Sequence, residues 1–553
     1  MSNADRSLFR KNMDALRNSD VYRFRHMRHQ TFMDEVEHTE PTRAVTLVEG
    51  RGSYLIPEVR TETSRYTLHS KYDPAREAER AVDAIDTRGT LCVFGLGAAY
   101  HIRRLLSEPR VLQILVFSEP SDVLRTIMSR IDLSDVLGNR RVHLCTSDSA
   151  ATIRGTVTAG HVPFFSSRIT GFHLPVFARV FTDRFEKFRQ GVDSAIGEIA
   201  DDLSTQVRFS KLWFRNILLN SVSSDRIAPA SLPRSQPVTI VAAGPSLDEH
   251  LDELSRSEHH LICCDTAAPA LATAGIAHAT VICIDPSLYG YHHLLNGFPD
   301  HSRTILDIGT HPAVWKQAPQ PSGVASRHPL VQLMSPVFDH LPVVQFSGDV
   351  TNAAVWLARS FSCAPISVVG ADYRWTGGKP YAQSTYIPEL FLGSSDRFVP
   401  GESKTIAFMF DRHPELSLQS NGDYAVAEFD SRRKALQHLL DTPQSCTVEQ
   451  QHRAPTVTGR APPLKKVLQS VYDLLENAPV PDQGVSEPET YYQSLNEDAR
   501  SAALLLGPIA THIARRSHVR PSNDSMLRHM REARRFAGMM ISHVHSLSGS
   551  RIL

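Results

Sequence analysis

The sequence has no surplus of charge of either sign, because its 59 Lys and Arg residues equal its 59 Asp and Glu residues. A protein that coats nucleic acid or an anionic membrane by bulk charge is therefore excluded, and any anion site must be local. No apolar run reaches the roughly 18 residues of a membrane span, and the start MSNADRSLFRKN lacks the apolar core of a signal peptide. We expect a cytoplasmic protein with no nucleic-acid partner.

The seven cysteines form neither a CxxC pair nor a Cys-His metal spacing. Most lie in apolar runs such as LICCD and VICID, where a thiol behaves as a small buried apolar side chain in a reducing compartment. No metal site is predicted. The 553 residues, 41% of them apolar, can build about three folding units.

The pattern of apolar runs and prolines divides the chain into four segments of an α/β protein. A helical connector is predicted because residues 173–224 have no proline after Pro175 and repeat apolar positions at three- and four-residue spacing. The predicted segments are a Rossmann-like domain at 1–165, the connector at 166–230, a second α/β domain at 231–445, and a helical C-terminal region with proline-rich linkers at 446–553.

The first Rossmann-like domain is predicted from a strand–turn–helix–strand pattern. The run TLCVFGLGAAYHIRRLL (90–106) places Gly95 and Gly97 at the end of an apolar strand, and the next strand ends at Glu119. The third glycine of the dinucleotide fingerprint is missing, and the loop is closer to that of S-adenosylmethionine enzymes. We interpret this unit as a structural remnant or a docking domain and expect it to bind no S-adenosylmethionine, with a working cofactor site as the alternative.

The run QPVTIVAAGPSLDEHLDELSR (236–256) carries the main chemical signal. An apolar strand enters Gly244-Pro245-Ser246, and a helix follows. Proline suits a first helical turn, glycine permits close approach, and the helix dipole favours an anion at the turn. No GKS or GKT follows, so the turn predicts a phosphate-type site that is not a P-loop, or a tight structural turn without ligand.

Three more apolar strands end in acidic residues. Asp265 follows HLICC, Asp285 follows ATVICI, and Asp372-Tyr373 follows ISVVGA. Each aspartate alone is typical of a helix cap. Because the carboxyl ends of parallel strands meet at one edge of a sheet, the four strand ends together predict a single ligand crevice.

These motifs, with QFSGDVTNAAVWLARSF (345–361), resemble the central domain of the motility accessory factor (Maf) flagellin glycosyltransferases. That domain is in turn similar to bacterial sialyltransferases that use CMP-sugars. The resemblance spans about 236–410, and the GLGAAYH…SEP block resembles the region that precedes it in Maf proteins. It implies transfer of a nonulosonic acid, of pseudaminic or legionaminic type, from CMP to Ser or Thr of flagellin, without a further cofactor.

The resemblance also implies which residues meet the donor. The CMP-binding residues are Gly244, Pro245, Ser246, Asp265, Asp285, Ser347 and Gly348. The residues that the resemblance places near the donor as catalytic candidates are Asp372, Tyr373 and Tyr381. The tyrosines are expected to hydrogen-bond the departing phosphate.

Asp349 and His413 each have two interpretations. Asp349 stands where Maf proteins often have a small residue, and a carboxylate beside an anionic donor is unfavourable unless it is paired or aimed at the ribose hydroxyls. His413 is the nearest candidate downstream of the Asp372 strand for the histidine base of the sialyltransferases, or it is a surface histidine.

A glycine turn, a helix N-terminus and hydroxyl donors can stabilise a departing phosphate, and no DxD-type carboxylate pair is evident, so metal-independent transfer is predicted. Two other functions stay open. One is a pterin diphosphokinase, which needs Mg²⁺ and an ATP site, and the other is a non-catalytic flagellin-binding chaperone.

Overall fold

The apolar runs of the sequence form the strands of two separate parallel sheets, each in its own compact unit. The computed structural model describes residues 3–18, 34–145, 149–162, 164–166, 168–344, 349–413, 415–441, 463–479, 488–516 and 523–547. The two units are Met1–Val207 with Pro479–Glu532, and Arg208–Ala478 with Ala533–Leu553.

The first unit contains an antiparallel sheet and a parallel one. Its strands are β1 (Val45–Glu49), β2 (Leu55–Arg60), β3 (Arg65–Thr67), β4 (Gly89–Phe94), β5 (Val111–Phe117), β6 (Val142–Cys145) and β7 (Ile169–His173). The antiparallel sheet has the order β1-β2-β3, and the parallel sheet has the order β6-β5-β4-β7. Every residue of β4 and β5 is buried, as expected for parallel strands covered on both faces.

Helices connect these strands. They span Asn3–Asn18, Pro74–Asp83, Tyr100–Leu106, Ser121–Met128, Ser134–Leu137, Ala150–Gly160 and Pro175–Val180. The βαβ unit predicted around Gly95 is β4, the helix Tyr100–Leu106 and β5, and it is confirmed.

The second unit is built on a larger parallel sheet. Its strands are β8 (Ala228–Pro229), β9 (Val238–Val241), β10 (His260–Cys264), β11 (Thr280–Cys283), β12 (Arg303–Asp307), β13 (Pro321–Ser326), β14 (Val343–Val344) and β15 (Ile366–Val369). The order is β14-β13-β12-β11-β10-β9-β15, with β8 beside β13, and all pairs are parallel. A hairpin of β16 (Ser417–Leu418) and β17 (Tyr424–Ala425) lies apart from this sheet.

The larger sheet has an apolar core on each face, so the second unit is a three-layer α/β structure. Its α-helices span Leu247–Leu254, Ala268–Thr273, Leu288–His293, Pro312–Gln317, Pro329–Leu333, Ser335–Phe338, Val350–Ser360, Tyr386–Gly393, Gly401–Arg412, Ala427–Asp441 and Leu464–Asn477. Short 3₁₀ turns span Ser224–Arg226 and Asp265–Ala267.

The segment predicted as a helical connector contains one long helix, Thr182–Ser221. Residues 182–207 of this helix belong to the first unit and residues 208–221 to the second. The remaining C-terminal helices span Pro488–Ser494, Glu497–Arg516 and Asn523–Leu547. The predicted class, an α/β chain with two Rossmann-like sheets and a helical C-terminal region, is confirmed, while the four segment boundaries stay a prediction. None of the helices in the described ranges is long and apolar enough to cross a membrane.

Candidate active site

The strand order of the larger sheet reverses direction at β9. From β9 the chain proceeds through β10 to β14 on one side, and it returns through the helix Val350–Ser360 to β15 on the other side of β9. Such a reversal separates the loops that leave two neighbouring strands, and in open α/β sheets ligands bind between them. The loops at this point are Gly244-Pro245-Ser246 after β9 and Gly370-Ala371-Asp372 after β15.

Asp372 binds the glycine turn directly. Its Oδ2 accepts from the Ser246 amide at 2.8 Å, and its Oδ1 accepts from the Ser246 hydroxyl at 2.5 Å. The Gly244 amide donates to the carbonyl of Gly370 at 2.8 Å, and a Cβ at Gly244 would lie 2.4 Å from Asp372 Oδ2. The Ser246 amide and hydroxyl, which the sequence predicts as donors to a phosphate, are therefore hydrogen-bonded to a carboxylate of the chain itself. Phosphate contact at Gly244, Pro245 and Ser246 stays a prediction.

Asp349 and Tyr373 meet at the N-terminus of the helix Val350–Ser360. Asp349 Oδ1 accepts from the Asn352 amide at 2.9 Å and, over a long 3.4 Å, from the Tyr373 hydroxyl. The Asn352 side-chain amide lies 3.5 Å from the same hydroxyl. The helix N-terminus and the phenol of Tyr373 therefore stabilise the negative charge of Asp349. This is the pairing that the sequence analysis requires of a carboxylate at this position.

Tyr373 has an uncommon backbone conformation and a raised hydroxyl pKa. Its φ is +46°, in the left-handed region that a bulky residue rarely occupies. Burial, with the nearby charge of Asp349, raises the pKa of its hydroxyl well above the ordinary value. The phenol therefore acts as a neutral hydrogen-bond donor. Ser347 and Gly348, which the sequence places just before this helix, lie outside the described residues.

Asp265 and Asp285 follow the neighbouring strands β10 and β11. Asp265 is 3% exposed and accepts from the Thr266 amide at 2.8 Å, whereas Asp285 accepts from the Ser287 amide at 2.7 Å. Burial raises the pKa of Asp285, and the charge of Asp265 contributes to the rise. The two carboxylates are near one another at the carboxyl edge, and their contact with a nucleotide or sugar stays a prediction.

The segment after β15 crosses back over the glycine turn. The Ala382 amide donates to the Ala243 carbonyl at 3.0 Å, and the Gln383 amide donates to Asp248 Oδ1 at 3.0 Å. Tyr381, just before these residues, packs against the apolar core under the turn. The Tyr-Ala motif is thereby placed beside the GPSLD motif.

His413 lies at the C-terminal end of the helix Gly401–Arg412, in an aromatic cluster. Its ring is 5.5 Å from that of Trp375 and 5.2 Å from that of Phe429, measured between centroids. Its Nδ1 lies 3.6 Å from Glu415 and 3.9 Å from Glu428. The structure thus groups His413 with two carboxylates and two aromatic rings, and its role as a base stays a prediction.

Sequence reasoning missed a pair of asparagines on the helix Thr182–Ser221. The Asn216 side-chain amide donates to the carbonyls of Pro286 and Gly309, at 2.8 and 3.0 Å. Asn220, one turn later, donates to the carbonyls of Ile308 and Thr310, at 2.8 and 2.9 Å. The two asparagines therefore hold the loops after β11 and β12 in place. The sequence pattern that could have revealed them is a pair of amide side chains four residues apart on an otherwise apolar helix face.

Sequence reasoning also missed Asp307, at the end of β12. Asp307 follows the apolar run RTIL in the same way as the three predicted aspartates, and its Oδ2 accepts from the Gly309 amide at 2.8 Å. Burial raises its pKa to about 6. Within the described ranges, no three His, Cys, Asp or Glu side chains are grouped as a metal site.

The first unit has its own glycine turn after β4. The Leu96 and Gly97 amides donate to Glu119, at 3.2 and 2.6 Å, and the Ala98 amide donates to His69 Nε2 at 2.9 Å. Glu119 is 1% exposed, and burial raises its pKa. The amides that would hold a cofactor phosphate or carboxylate are bonded to buried side chains of the chain itself.

Comparison with known proteins gives a match centred on the second unit. The sequence profile of the family described as 6-hydroxymethylpterin diphosphokinase MptE-like matches residues 215–378, less than half of the chain. A protein of Treponema pallidum (strain Nichols) described as uncharacterized is 29% identical over 168 residues, which cover 30% of this chain and 80% of the relative. A second such protein of that organism is 29% identical over 123 residues, covering 21% of this chain and 44% of the relative.

One solved structure aligns along almost the whole chain. It is a MAf glycosyltransferase from Magnetospirillum magneticum AMB-1, with 14% sequence identity, a TM-score of 0.45, and coverage of 99% of this chain and 96% of that chain. A likeness at this level does not establish a common function, so functional inference depends on the residues of the site.

Proposed function

We propose that this protein is a glycosyltransferase that moves a sugar from a CMP-activated donor to a protein hydroxyl group. The donor is a CMP-nonulosonic acid of pseudaminic or legionaminic type, and the acceptor is Ser or Thr of flagellin. The observation that carries the proposal is the convergence of three separate motifs at one crevice. Hydrogen bonds join Ser246 to Asp372, Ala382 to Ala243 and Gln383 to Asp248.

The contact between Ser246 and Asp372 suggests how donor binding prepares the site. The Ser246 amide and hydroxyl can satisfy one anion at a time, and in the free protein that anion is the Asp372 carboxylate. A donor phosphate that takes these hydrogen bonds displaces the carboxylate, which is then free to orient an incoming hydroxyl. Donor binding and readiness for the acceptor are thus coupled through one side chain.

Tyr373 supplies the second element of the reaction. Its hydroxyl, neutral because burial and Asp349 raise its pKa, can donate a hydrogen bond to the phosphate as negative charge grows on it. This contact strengthens in the transition state, so it contributes to the rate more than to donor affinity. Because backbone and hydroxyl donors serve the leaving group, we expect transfer to be independent of metal ions.

A second candidate is supported by the match to the MptE-like family over residues 215–378. A pterin diphosphokinase would transfer diphosphate from ATP to the hydroxymethyl group of a pterin. Both reactions move an electrophilic group from a nucleotide to a hydroxyl, so both need a nucleotide crevice and an acceptor-orienting carboxylate. They differ in the nucleotide, in the requirement for Mg²⁺, and in the product, CMP or AMP.

Calorimetry and product analysis on the full-length protein test the proposal. We expect CMP to bind, Ser246→Ala to weaken binding and Gly244→Val to abolish it, because a valine side chain cannot fit against Asp372 and the Gly370 carbonyl. Ser255→Ala, at the other end of the same helix, is the matched control and should leave affinity unchanged. Equal affinity in all four proteins would contradict the assignment of the turn.

Turnover separates the two candidates. CMP release from a CMP-nonulosonic acid in the presence of flagellin and EDTA supports glycosyl transfer. AMP release from ATP and 6-hydroxymethylpterin that stops in EDTA and returns with Mg²⁺ would instead establish the diphosphokinase.

A further inference from the structure

The segment after β15 leaves a group of large apolar side chains exposed to solvent. It contains the helices Tyr386–Gly393 and Gly401–Arg412, followed by the hairpin β16–β17. Single exposed apolar residues are ordinary on a protein surface, whereas a group of them indicates an interaction site. Five side chains of this segment are between 41% and 81% exposed, and we call them the apolar patch: Leu392, Phe398, Ile406, Phe410 and Leu418.

Part of the apolar patch follows one ridge of the helix Gly401–Arg412. Ile406 and Phe410 are four residues apart, so their side chains lie on the same face of this helix. The Phe410 ring is 5.9 Å from the Tyr424 ring, measured between centroids. Leu418 is the cross-strand partner of Tyr424 in the hairpin, and directly opposite residues of a strand pair point to the same face. These three patch residues therefore form a continuous surface.

The remaining two patch residues lie at the start of the same helix. A Cβ at Gly401 would be 3.6 Å from Leu392 Cδ2, which places Leu392 beside the first helical turn. The loop that carries Phe398 is held by Asp396, whose Oδ1 accepts from the Phe398 and Val399 amides, both at 2.8 Å. An ordered loop thus presents a phenylalanine that is 81% exposed.

The opposite face of the helix Gly401–Arg412 is used by the core. Met409 is 1% exposed and packs with Trp375, Leu416 and Val426 in a separate apolar cluster. A helix with one apolar face needs no more than this to be held in a globular protein. The apolar patch on the solvent side is therefore surface that folding of the described part of the chain does not use.

Backbone hydrogen bonds connect the apolar patch to the segment that carries Asp372. Trp375 is three residues after Asp372, its amide donates to the Tyr424 carbonyl at 2.9 Å, and its carbonyl accepts from the Tyr424 amide at 3.0 Å. Tyr424 is the residue whose ring contacts Phe410. Asp372 itself accepts from the amide and hydroxyl of Ser246. The patch is thus joined by direct contacts to the candidate active site.

The charge around the apolar patch is acidic. Residues 386–411 carry four acidic and two basic side chains. Glu389 and Glu402 are exposed, each one turn before a patch residue of its own helix. Lys404, one of the two cations, donates to the Ser394 hydroxyl at 3.0 Å, and the other, Arg397, lies over the neighbouring phenylalanine ring, 5.0 Å from its centre. A partner with apolar and basic side chains complements this surface, whereas an anionic membrane would be repelled.

We propose that the apolar patch is the docking surface for the acceptor polypeptide, which it holds through an apolar segment flanked by basic residues. The proposal rests on the proposed function for the identity of this partner, flagellin. Docking here keeps the acceptor chain beside the segment that carries Asp372 and so raises the local concentration of its hydroxyl groups. The contact is remote from the reacting atoms, so it sets KM for the protein acceptor and not the rate of the chemical step.

Calorimetry of flagellin binding to the full-length protein, without donor, tests the docking surface. We expect Phe398→Gln and Ile406→Gln each to weaken binding at least about tenfold, because a few apolar anchors carry most of the binding energy of an interface. Both side chains are more than half exposed, so neither replacement should disturb folding. Leu55→Gln is the matched control, since Leu55 is 43% exposed in the first unit, and it should bind flagellin as the wild type does.

Turnover gives a readout that a purely structural role would not produce. KM for flagellin should rise at least about tenfold in Phe398→Gln, whereas kcat at saturating flagellin should change less than about threefold. The affinity for CMP should be the same in the wild type and in all three variants. A damaged fold would instead lower kcat and CMP affinity together, and Leu55→Gln shows the effect of the same kind of replacement elsewhere.

Glu402→Gln tests the basic character of the partner. The affinity of the wild type for flagellin should fall as the salt concentration rises, and it should fall less steeply in Glu402→Gln. Glu79→Gln replaces an exposed carboxylate of the first unit and should keep the wild-type salt dependence. The same salt dependence in all three proteins would contradict a basic partner segment.

Equal flagellin affinity in the wild type, Phe398→Gln and Ile406→Gln would overturn the docking surface. A wild-type dimer that becomes a monomer in Phe398→Gln, with flagellin binding unchanged, would assign the patch to a second copy of this chain. Loss of binding to phosphatidylcholine vesicles, with flagellin binding again unchanged, would assign it to a membrane.

The wild type separates failure of this proposal from failure of the proposed function. A wild type that binds CMP but not flagellin would overturn the docking surface. A wild type that does not bind CMP would overturn the proposed function, while flagellin binding, measured without donor, still reports on the apolar patch.

Discussion

The two parallel sheets each present a glycine turn whose amides bind a carboxylate from the neighbouring strand end. In the first unit Glu119, after β5, binds the turn that follows β4, and in the second unit Asp372, after β15, binds the turn that follows β9. The surroundings differ. Glu119 is almost fully buried, whereas Asp372 is partly exposed and also accepts from a serine hydroxyl.

The difference lies in what covers each turn. A Cβ at Gly95 would lie 2.2 Å from the Phe177 ring, and a Cβ at Gly97 would lie 2.5 Å from His69. Around Gly244 the nearest atoms are the Asp372 carboxylate and the Gly370 carbonyl. The same backbone motif is therefore covered by buried side chains in one unit and by a partly exposed carboxylate in the other.

The largest effect is expected for Gly95→Ala. The added methyl group would overlap a buried aromatic ring, and the φ of +93° disfavours a side chain. We expect the free energy of unfolding to fall by about 3 kcal/mol or more, seen as a lower thermal unfolding temperature. Gly171→Ala is the control, since nothing lies within 4 Å of its added Cβ. Equal stability of the two variants would show that the turn is not part of the core.

Next in size is the effect of Asp372→Asn on turnover. If the carboxylate orients the acceptor hydroxyl, the nearly isosteric amide should lower the rate about 10²-fold, and Tyr373→Phe should act in the same direction. Glu119→Gln is the counterpart in the first unit and should leave the rate of the folded protein unchanged. The measurement is glycosylation of flagellin by intact mass. Wild-type rates in both Asp372→Asn and Tyr373→Phe would place the active centre elsewhere.

A smaller effect is expected from acid on the first glycine turn. His101 Nε2 donates a hydrogen bond to the Gly95 carbonyl, and burial lowers the pKa of His101 from 6.5 to about 4. The unfolded chain therefore binds a proton at His101 more readily than the folded protein does. The contribution of neutral His101 to the free energy of unfolding is complete above about pH 6.5 and is lost as the pH falls toward 4. At pH 5 the loss should be about 2 kcal/mol.

His101→Asn isolates this contribution. The difference in unfolding free energy between wild type and variant should shrink by that amount between pH 7 and pH 5. A difference that stays constant across this range would mean that His101 titrates normally in the folded protein.

The smallest expected effect is that of S-adenosylmethionine, which should give no thermal shift. Its carboxylate and ribose would have to displace Glu119 and His69 from buried hydrogen bonds with the Leu96, Gly97 and Ala98 amides. CMP serves as the positive control on the same protein. A thermal shift with S-adenosylmethionine that is lost in Glu119→Ala would show that the turn of the first unit also binds a ligand, which would contradict this prediction.

Much of the local structure could be predicted from residue patterns. The strands Val238–Val241 and Ile366–Val369 lie where short apolar runs predict them, and the helix Thr182–Ser221 follows from the apolar spacing of the connector. Within the C-terminal region predicted to be helical, the structure has separate helices at Pro488–Ser494 and Glu497–Arg516. Asp307 carries the same strand-end pattern as the predicted aspartates and could have been found in the same way.

The sequence by itself determined where strands, turns and helices lie, because apolar periodicity and glycine or proline at a turn act over a few residues. Only the tertiary structure decided which polar groups meet. Ser246 and Asp372 are 126 residues apart, and Asn216 reaches Pro286 across 70 residues. These pairings depend on strand order and on which helix packs beside which loop. That order is set by burying both faces of the sheet together, and no local stretch of sequence specifies it.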